Sequence, residues 1–262
     1  MPIVSSVRKV GHRAVDMVWR VGYSTRFFAL ILLHSGPSFR RFQLIVRELF
    51  FTGVMSLIII LVAGLFVGVV LGLQGYETLK SYGSESALGT LVALSLVREL
   101  GPVLSALLFA SRAGSAMTAE IGLMKATEQI AAMEMMAVSP IARVVAPRFW
   151  AGVISMPVLA VMFSAMGVFG GYLVGVVFIG VDEGSFWSQM QGSVDFQHDI
   201  LNGVLKSFVF GVAVTVISLF EGFDAPPTAE GVSGATTRTV VQSSLAILLL
   251  DVILTAFMFR GL

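Results

Sequence analysis

The stretch SLVRELGPVLSALLFASRAGSAMTAEIGLMKATEQIAAMEMMAVSP, residues 95–140, decides the fold, because an apolar run passes directly into a charged segment within it. The apolar part contains an adjacent pair of opposite charges, Arg98 and Glu99. The small residues RAGSAMTAE follow from Arg112, and this pattern predicts a turn. The remainder has a helix-like pattern with charges at Glu120, Lys125, Glu128 and Glu134. The stretch is typical of a membrane span joined to a partly polar helix at one membrane face.

The composition of the whole chain also indicates a membrane protein. Of its 262 residues, 56% are hydrophobic and 13% are charged, and the mean hydropathy is +0.90. Soluble domains carry about 25% charged residues. A net charge of +1 gives no argument for a nucleic-acid partner. The absence of cysteine excludes thiolate metal sites, and the three histidines lie too far apart for a metal-ligand spacing, so no metal or cofactor is expected in this chain.

Long runs with few charges predict five membrane-spanning helices, since a span needs about 20 apolar residues. The predicted spans are 49–76, 87–111, 149–181, 200–220 and 239–259. The polar segments between them, 77–86, 182–199 and 221–238, are predicted as turns or loops. The expected fold is therefore an all-α polytopic membrane protein with one domain over residues 1–262. Its core is 49–262, and 1–48 forms a separate amino-terminal segment.

The amino-terminal segment 1–48 is rich in positive charge. It holds eight of the seventeen Lys and Arg side chains: Arg8, Lys9, Arg13, Arg20, Arg26, Arg40, Arg41 and Arg47. Apolar residues interleave with them at helical spacing, which predicts an amphipathic helix in the membrane interface. A polybasic nucleic-acid tail is the weaker interpretation. Residues 112–148 carry four cations and 182–199 none, so the positive-inside rule predicts a cytoplasmic amino terminus and a carboxyl terminus on the far side.

Four charged side chains lie inside predicted spans: Arg98, Glu99, Lys206 and Asp251. Each costs about 2.5–3.5 kcal/mol at membrane depth and usually faces a partner or a wet cavity. Because Arg98 and Glu99 are neighbours in sequence, they point to different sides of their helix. Lys206 and Asp251 are the candidate partners. The group is interpreted either as a structural ion-pair network or as a polar floor or gate beneath a substrate cavity.

Residues 118–136 are predicted as one amphipathic helix that begins at a cap on Ser115 or Thr118 and ends at Ser139-Pro140. One interpretation is a surface helix that only links two spans. The other is a coupling helix that docks into a groove of a soluble motor.

Glycines recur every fourth residue in the first and third spans, at Gly64, Gly68 and Gly72 and at Gly167, Gly171 and Gly175. Such stripes predict close helix packing and no further function. The chain has no GxxxxGK[ST] phosphate loop, no GxSxG elbow and no HExxH motif. No catalytic residues are therefore predicted, and the chain is not expected to be an enzyme.

The sequence from 71 to 159 resembles the MlaE (YrbE-type) permeases of Gram-negative bacteria, most specifically in the blocks RELGP, AGSAMTAEIG and TEQ. The likeness continues in DAPP at 224–227 and in TTRTVVQSSLAIL at 236–248, and covers essentially the whole chain. The resemblance implies the inner-membrane permease subunit of an ABC-type phospholipid transporter that maintains outer-membrane lipid asymmetry. It also implies a homodimer, two cytoplasmic ATPase subunits that hold ATP-Mg, a STAS-domain protein and a periplasmic hexamer of MCE-domain subunits.

The resemblance also implies roles for particular residues. The family's lipid cavity lies at the dimer centre, and the positions that match its lining are Leu71, Leu79, Tyr82 and Leu100. Glu99, Lys206 and Asp251 match polar positions near it. The segment 118–136 matches the family's coupling helix, with Glu120, Gly122, Lys125, Thr127 and Glu128 as the coupling residues.

Two other functions are alternatives to an ABC-type permease. An ion- or proton-coupled secondary transporter would use Glu99 and Asp251 as a relay. A lipid-modifying membrane enzyme is a third class, but the sequence offers it no nucleophile or metal constellation.

Overall fold

The computed structural model describes Trp19 and residues 22–36 and 42–259. Every regular element in these ranges is a helix, which confirms the all-α prediction. The helices, numbered α1 to α8, are Gly22–Leu33, Phe42–Ser81, Glu85–Ala126, Gln129–Met135, Ile141–Phe178, Glu183–Ser193, Phe196–Asp224 and Ala229–Phe259.

Five of the described helices, α2, α3, α5, α7 and α8, are long and apolar enough to cross a membrane. The mean hydropathy of their most apolar stretches ranges from 1.7 to 3.0. The predicted number of spans is therefore confirmed. The five helices run up and down, so that α4 lies at one end of the bundle and α6 at the other.

The helix bounds differ from the predicted spans at the α4 end of the bundle. α2 begins at Phe42, so residues 42–48 belong to the first spanning helix and not to a separate segment. The predicted turn after Arg112 is wrong, because α3 continues without interruption to Ala126. A Cβ atom on Gly114 would lie 2.9 Å from Ser218 Oγ on α7. The small residues after Arg112 thus allow α3 and α7 to approach closely, and they do not form the predicted turn.

The polar segments predicted as loops are largely helical. Residues 77–81 extend α2, and 183–193 form α6, whose first turn is capped by the Asp182 carboxylate accepting from Ser185 N at 2.7 Å. The predicted hairpin 221–238 shrinks to the four residues 225–228. Polarity ends a membrane span but does not end a helix, since helices persist in water when capped or packed.

The glycine stripes of α2 and α5 pack against each other, as predicted. A Cβ atom on Gly64 would lie 2.6 Å from Phe163 O, and one on Gly68 would overlap Gly167 O. Leu96 of α3 fills the space over Gly167. The two helix backbones are therefore in direct contact along several turns.

α1 packs across the α4 end of the bundle. Its Phe27 and Ile31 are buried in an apolar cluster with Phe149, Leu219 and Phe220. The opposite face is exposed, with Leu33 77% accessible. Most of the predicted interfacial helix, including the interleaved residues 7–18 and 20–21, lies outside the described residues.

Candidate functional site

Lys206 of α7 is the centre of a polar network inside the bundle. Its Nζ donates to Glu99 Oε2 at 2.7 Å and Asp251 Oδ1 at 3.3 Å. A third bond, 2.7 Å long, goes to Thr255 Oγ1. The lysine side chain is only 2% exposed. The buried ammonium group of Lys206 therefore connects α7 to α3 and α8. The negative charges of Glu99 and Asp251 compensate its positive charge.

The backbone of α3 departs from regular α-helix geometry beside this network. Residues Leu96–Leu100, which contain the Arg-Glu pair, form a π-helical turn, a distortion that often occurs at functional sites. Pro102 has no N–H to donate to the carbonyl group of Arg98, four residues earlier. Lys206 Nζ lies 3.3 Å from that oxygen and donates to it. The proline thus leaves an acceptor that the buried lysine uses.

Arg98 turns away from the network and bonds to Asp199 at the start of α7, with Nε 2.5 Å from Oδ1. The Asp199 side chain is 1% exposed, and its other oxygen accepts from Asp195 N at 2.8 Å. Asp199 belongs to the acidic segment 182–199, which is predicted as a loop, and it is not among the partners predicted for Arg98. Its position next to the apolar run that begins at Ile200 could have indicated a carboxylate at the end of a span.

Among the four residues matched to a lipid cavity, three pack within the bundle and the fourth is exposed. Leu71, Leu79 and Leu100 are half-buried against the main apolar cluster. Tyr82 follows the end of α2 and is 79% exposed. A cavity of about 570 Å³ lies elsewhere, between α3, α5 and α7.

The predicted single helix over 118–136 is wrong, because the chain breaks at Glu128. This residue has φ 58°, in the left-handed region, and separates α3 from the short helix α4. Thr118 lies inside α3, about two turns before its end, and caps no helix start, and α4 ends at Met135, before Ser139-Pro140.

Three of the five predicted coupling residues contact the bundle itself. Glu120 accepts from Arg148 of α5 at 2.9 Å, and Lys125 donates to Phe223 O of α7 at 2.8 Å. Gly122 packs on Val232 of α8, where a Cβ would lie 3.0 Å from the valine. The other two, Thr127 and Glu128, are exposed. Internal contacts therefore fix the last turns of α3, while the break itself faces outward.

Sequence reasoning missed a buried cluster of hydroxyl groups that joins the end of α3 to α7 and α8. Thr118 Oγ1 lies 2.9 Å from Ser218 O and 2.8 Å from Thr239 Oγ1. All three residues are fully buried. Nearby, Arg238 of α8 bonds to the buried Glu221 of α7 at 2.8 Å. The last turns of α3 are thus held to two spanning helices by polar bonds as well as by close packing.

A second set of charges joins the same region to α2 and α5. Arg148 is 9% exposed and lies 3.4 Å from Glu48 of α2, in addition to its bond to Glu120. The end of α3 is consequently bonded to α5, α7 and α8, and Arg148 links it indirectly to α2.

The surface around the break exposes large apolar side chains. Met135 is 90% exposed, Met136 67% and Leu123 59%. On the bundle side of α4, Ile130 is buried, and Met133 packs half-buried against the same apolar cluster. Methionine is frequent at adaptable binding surfaces because its side chain is flexible. We call residues 123–136 the docking segment.

Comparison with known proteins agrees with this architecture. A profile of the family described as "Permease MlaE" matches residues 45–257. The "Intermembrane phospholipid transport system permease protein MlaE" of Haemophilus influenzae is 58% identical over 258 residues, covering 98% of both chains. A "Probable ABC transporter permease protein" of Rickettsia felis is 36% identical and covers 98% of this chain and 99% of its own.

A more distant relative comes from a plant. The "Protein TRIGALACTOSYLDIACYLGLYCEROL 1, chloroplastic" of Arabidopsis thaliana is 31% identical over 216 residues, which are 82% of this chain and 61% of the plant protein. The matched region of the family profile includes all five spanning helices, the polar network and the docking segment. The chain therefore belongs to the MlaE permease family.

Proposed function

We propose that this protein is the permease subunit of an ABC-type transporter that moves phospholipid between the inner membrane and a periplasmic MCE-domain carrier, and so maintains outer-membrane lipid asymmetry. The observation that carries the proposal is the docking segment, which exposes apolar side chains to a partner while Lys125 bonds to Phe223 O of α7 and Ile130 is buried against the bundle. The Haemophilus influenzae relative, whose name specifies phospholipid transport, supports the substrate class.

The energy for transport would come from a separate cytoplasmic ATPase that holds ATP-Mg, since this sequence has no phosphate loop. A displacement of α4 would be transmitted through the end of α3 to α7 and α8. Thr118 bonds to both of these helices, and Lys125 bonds to α7. Apolar side chains would hold the acyl tails. The Lys206 network would form part of the wall or floor of the cavity.

The proposed assembly is a homodimer with two ATPase subunits, a STAS-domain protein and a hexamer of MCE-domain subunits. α8 supports a further partner in the membrane, as only 11% of its most apolar stretch is buried within this chain. A second copy could close the cavity formed at Leu71, Leu79, Tyr82 and Leu100. The docking segment would be cytoplasmic, and α6, with the acidic segment 182–199, would face the periplasm.

The alternative of an ion- or proton-coupled transporter has less support. Its carboxylates, Glu99 and Asp251, both contact Lys206. The relatives at 34–37% identity from Rickettsia are described as probable ABC transporter permeases, which favours an ATP-driven system.

A charge reversal on the docking segment tests the proposal. We expect Glu128→Lys to weaken copurification of the ATPase at least tenfold, because Glu128 is exposed at the break and no ion pair within the described residues involves it. Glu120→Lys would be ambiguous, since it also breaks the bond to Arg148. The measurement is the ratio of ATPase to permease after affinity purification, together with lipid-stimulated ATP hydrolysis.

The matched control is Glu85→Lys, the same change at an exposed residue at the opposite end of the bundle. It should leave both quantities unchanged. A Glu128→Lys protein that copurifies normally with the ATPase and shows normal lipid-stimulated ATP hydrolysis would contradict the proposed coupling role.

The hydroxyl cluster gives a second prediction, about transmission. Thr118→Val and Thr239→Val should each keep the ATPase bound but reduce lipid movement per ATP hydrolysed by about five- to tenfold, because each removes the bond between α3 and α8. Thr215→Val is the matched control, as Thr215 is equally buried but bonds only within its own helix, to Gly211 O. Thr118→Ser, which retains the hydroxyl group, should move as much lipid per ATP as the unchanged protein. Equal losses in all three valine variants would contradict the prediction.

A further inference from the structure

A cavity of about 570 Å³ lies between α3, α5 and α7, beneath the last turns of α6. Its walls include Ala93 and Val97 of α3, Val161 and Ala165 of α5, and Val204 of α7. None of the four residues matched to the lipid cavity at the dimer centre, Leu71, Leu79, Tyr82 and Leu100, lines it. It is therefore a different site from the one considered above.

The interior of this side cavity is apolar. None of the residues that line it is charged. The hydroxyl groups of Ser164 and Ser207 donate to carbonyl groups of their own helices, at Ala160 O (3.0 Å) and Val204 O (2.7 Å). A polar group inside the cavity would lose its hydrogen bonds to water at a cost of several kcal/mol without gaining a donor from these two side chains. The cavity suits a hydrocarbon chain.

The cavity opens sideways, and its α6 end is polar. On α5, Val161 is 49% exposed and Ala165 is also exposed, so the opening faces the medium around the spanning helices. Gln191 of α6 lines the end of the cavity and is exposed, and no hydrogen bond joins its amide to another described residue. An apolar slot with a free amide at its outer end matches an amphipathic molecule that enters from the membrane.

The size of the cavity suits a small ligand. Its volume of about 570 Å³ lies within the ~300–1,000 Å³ of small-molecule sites.

We propose that this side cavity binds one acyl chain of a phospholipid from the membrane leaflet at the α6 end, with the headgroup beside Gln191. The choice of phospholipid rests on the function proposed above. The cavity also shares a wall with the polar network. Gly203 packs on the carbonyl group of Val97, and Lys206 donates to the next carbonyl, that of Arg98. A lipid in the side cavity therefore lies against the same part of α3 and α7 that holds Lys206.

Site-directed photocrosslinking tests this inference. The photoreactive residue benzoylphenylalanine replaces Val161, in the cavity wall, or Ile154, which is two turns away on α5, similarly exposed (43% against 49%) and outside the cavity. The full assembly is purified in detergent with a trace of radiolabelled phosphatidylethanolamine and irradiated. We expect at least fivefold more lipid adduct at Val161, with saturation and loss on addition of unlabelled lipid.

Variants that fill the cavity with a larger side chain provide a second test. Ala165→Trp should reduce the Val161 adduct at least fivefold, and Ala165→Leu should give a smaller loss in case the tryptophan variant assembles poorly. Equal adducts at the two positions, or a Val161 adduct that neither variant changes, would overturn the site. A Val161 adduct with another polypeptide would also overturn it. None of these results would affect the permease function, which the Glu128→Lys experiment tests independently.

Discussion

Gly68→Leu is expected to abolish folding of the spanning core. A Cβ atom at this position would overlap the carbonyl oxygen of Gly167, and one on the neighbouring Gly64 would lie 2.6 Å from Phe163 O. Both obstacles are backbone atoms of α5, which cannot rotate away as a side chain can. Ordinary overpacking costs about 1–3 kcal/mol, and we expect a larger loss here because the two helices would have to separate.

The measurement is the monodisperse fraction and the thermal midpoint of the purified protein in detergent. Gly72→Ala should be only mildly destabilising, because its Cβ would meet Gly171 Cα at 3.2 Å. Gly192→Leu in α6 is the control, since nothing lies within 4 Å of its Cβ position. A monodisperse Gly68→Leu protein with an unchanged midpoint would show that α2 and α5 are not in the described contact.

Lys206→Met is expected to lower stability by about 3–5 kcal/mol, the usual loss when one partner of a buried ion pair is removed. The change leaves Glu99 and Asp251 facing each other without the cation that both contact. It also frees the carbonyl oxygen of Arg98, which Pro102 cannot satisfy. We expect a lower thermal midpoint and near-complete loss of lipid transport in proteoliposomes.

A triple variant that adds Glu99→Gln and Asp251→Asn separates the two interpretations of the network. We expect it to recover most of the stability, because the uncompensated charges are gone. Recovery of transport as well would indicate a structural network, whereas stability without transport would indicate a gate. Lys80→Met, at an exposed position, is the control and should change neither quantity. A Lys206→Met protein of normal stability would contradict the prediction.

The spanning helices illustrate what local composition can predict. Each apolar run was long enough to specify a membrane crossing, and all five are present. Their ends were predicted less well, because Arg112 and the polar residues 77–81 remain helical outside the most apolar stretch. Hydropathy reports the surroundings of a segment and not its backbone conformation.

The polar groups illustrate what local composition cannot predict. Glu99 and Lys206 could be proposed as partners because few charges lie within the spans, but Arg98 bonds to Asp199, which polarity alone assigned to a loop. The Thr118–Thr239 bond joins residues 121 positions apart, and neither hydroxyl is distinctive in sequence. The break at Glu128 likewise has no signal in its residue type, because a non-glycine residue rarely adopts its φ of 58°.

The amino-acid sequence by itself determined the membrane class, the five spans, the family and the absence of a phosphate loop in this chain. These properties depend on residue types and short blocks such as RELGP and TEQ, which can be seen without any contact. Only the tertiary structure decided which charges pair, where residues 95–140 divide into α3 and α4, and that a side cavity exists. Those properties arise from helices brought together across separations of 17 to 156 positions, and their geometry is not encoded in any one segment.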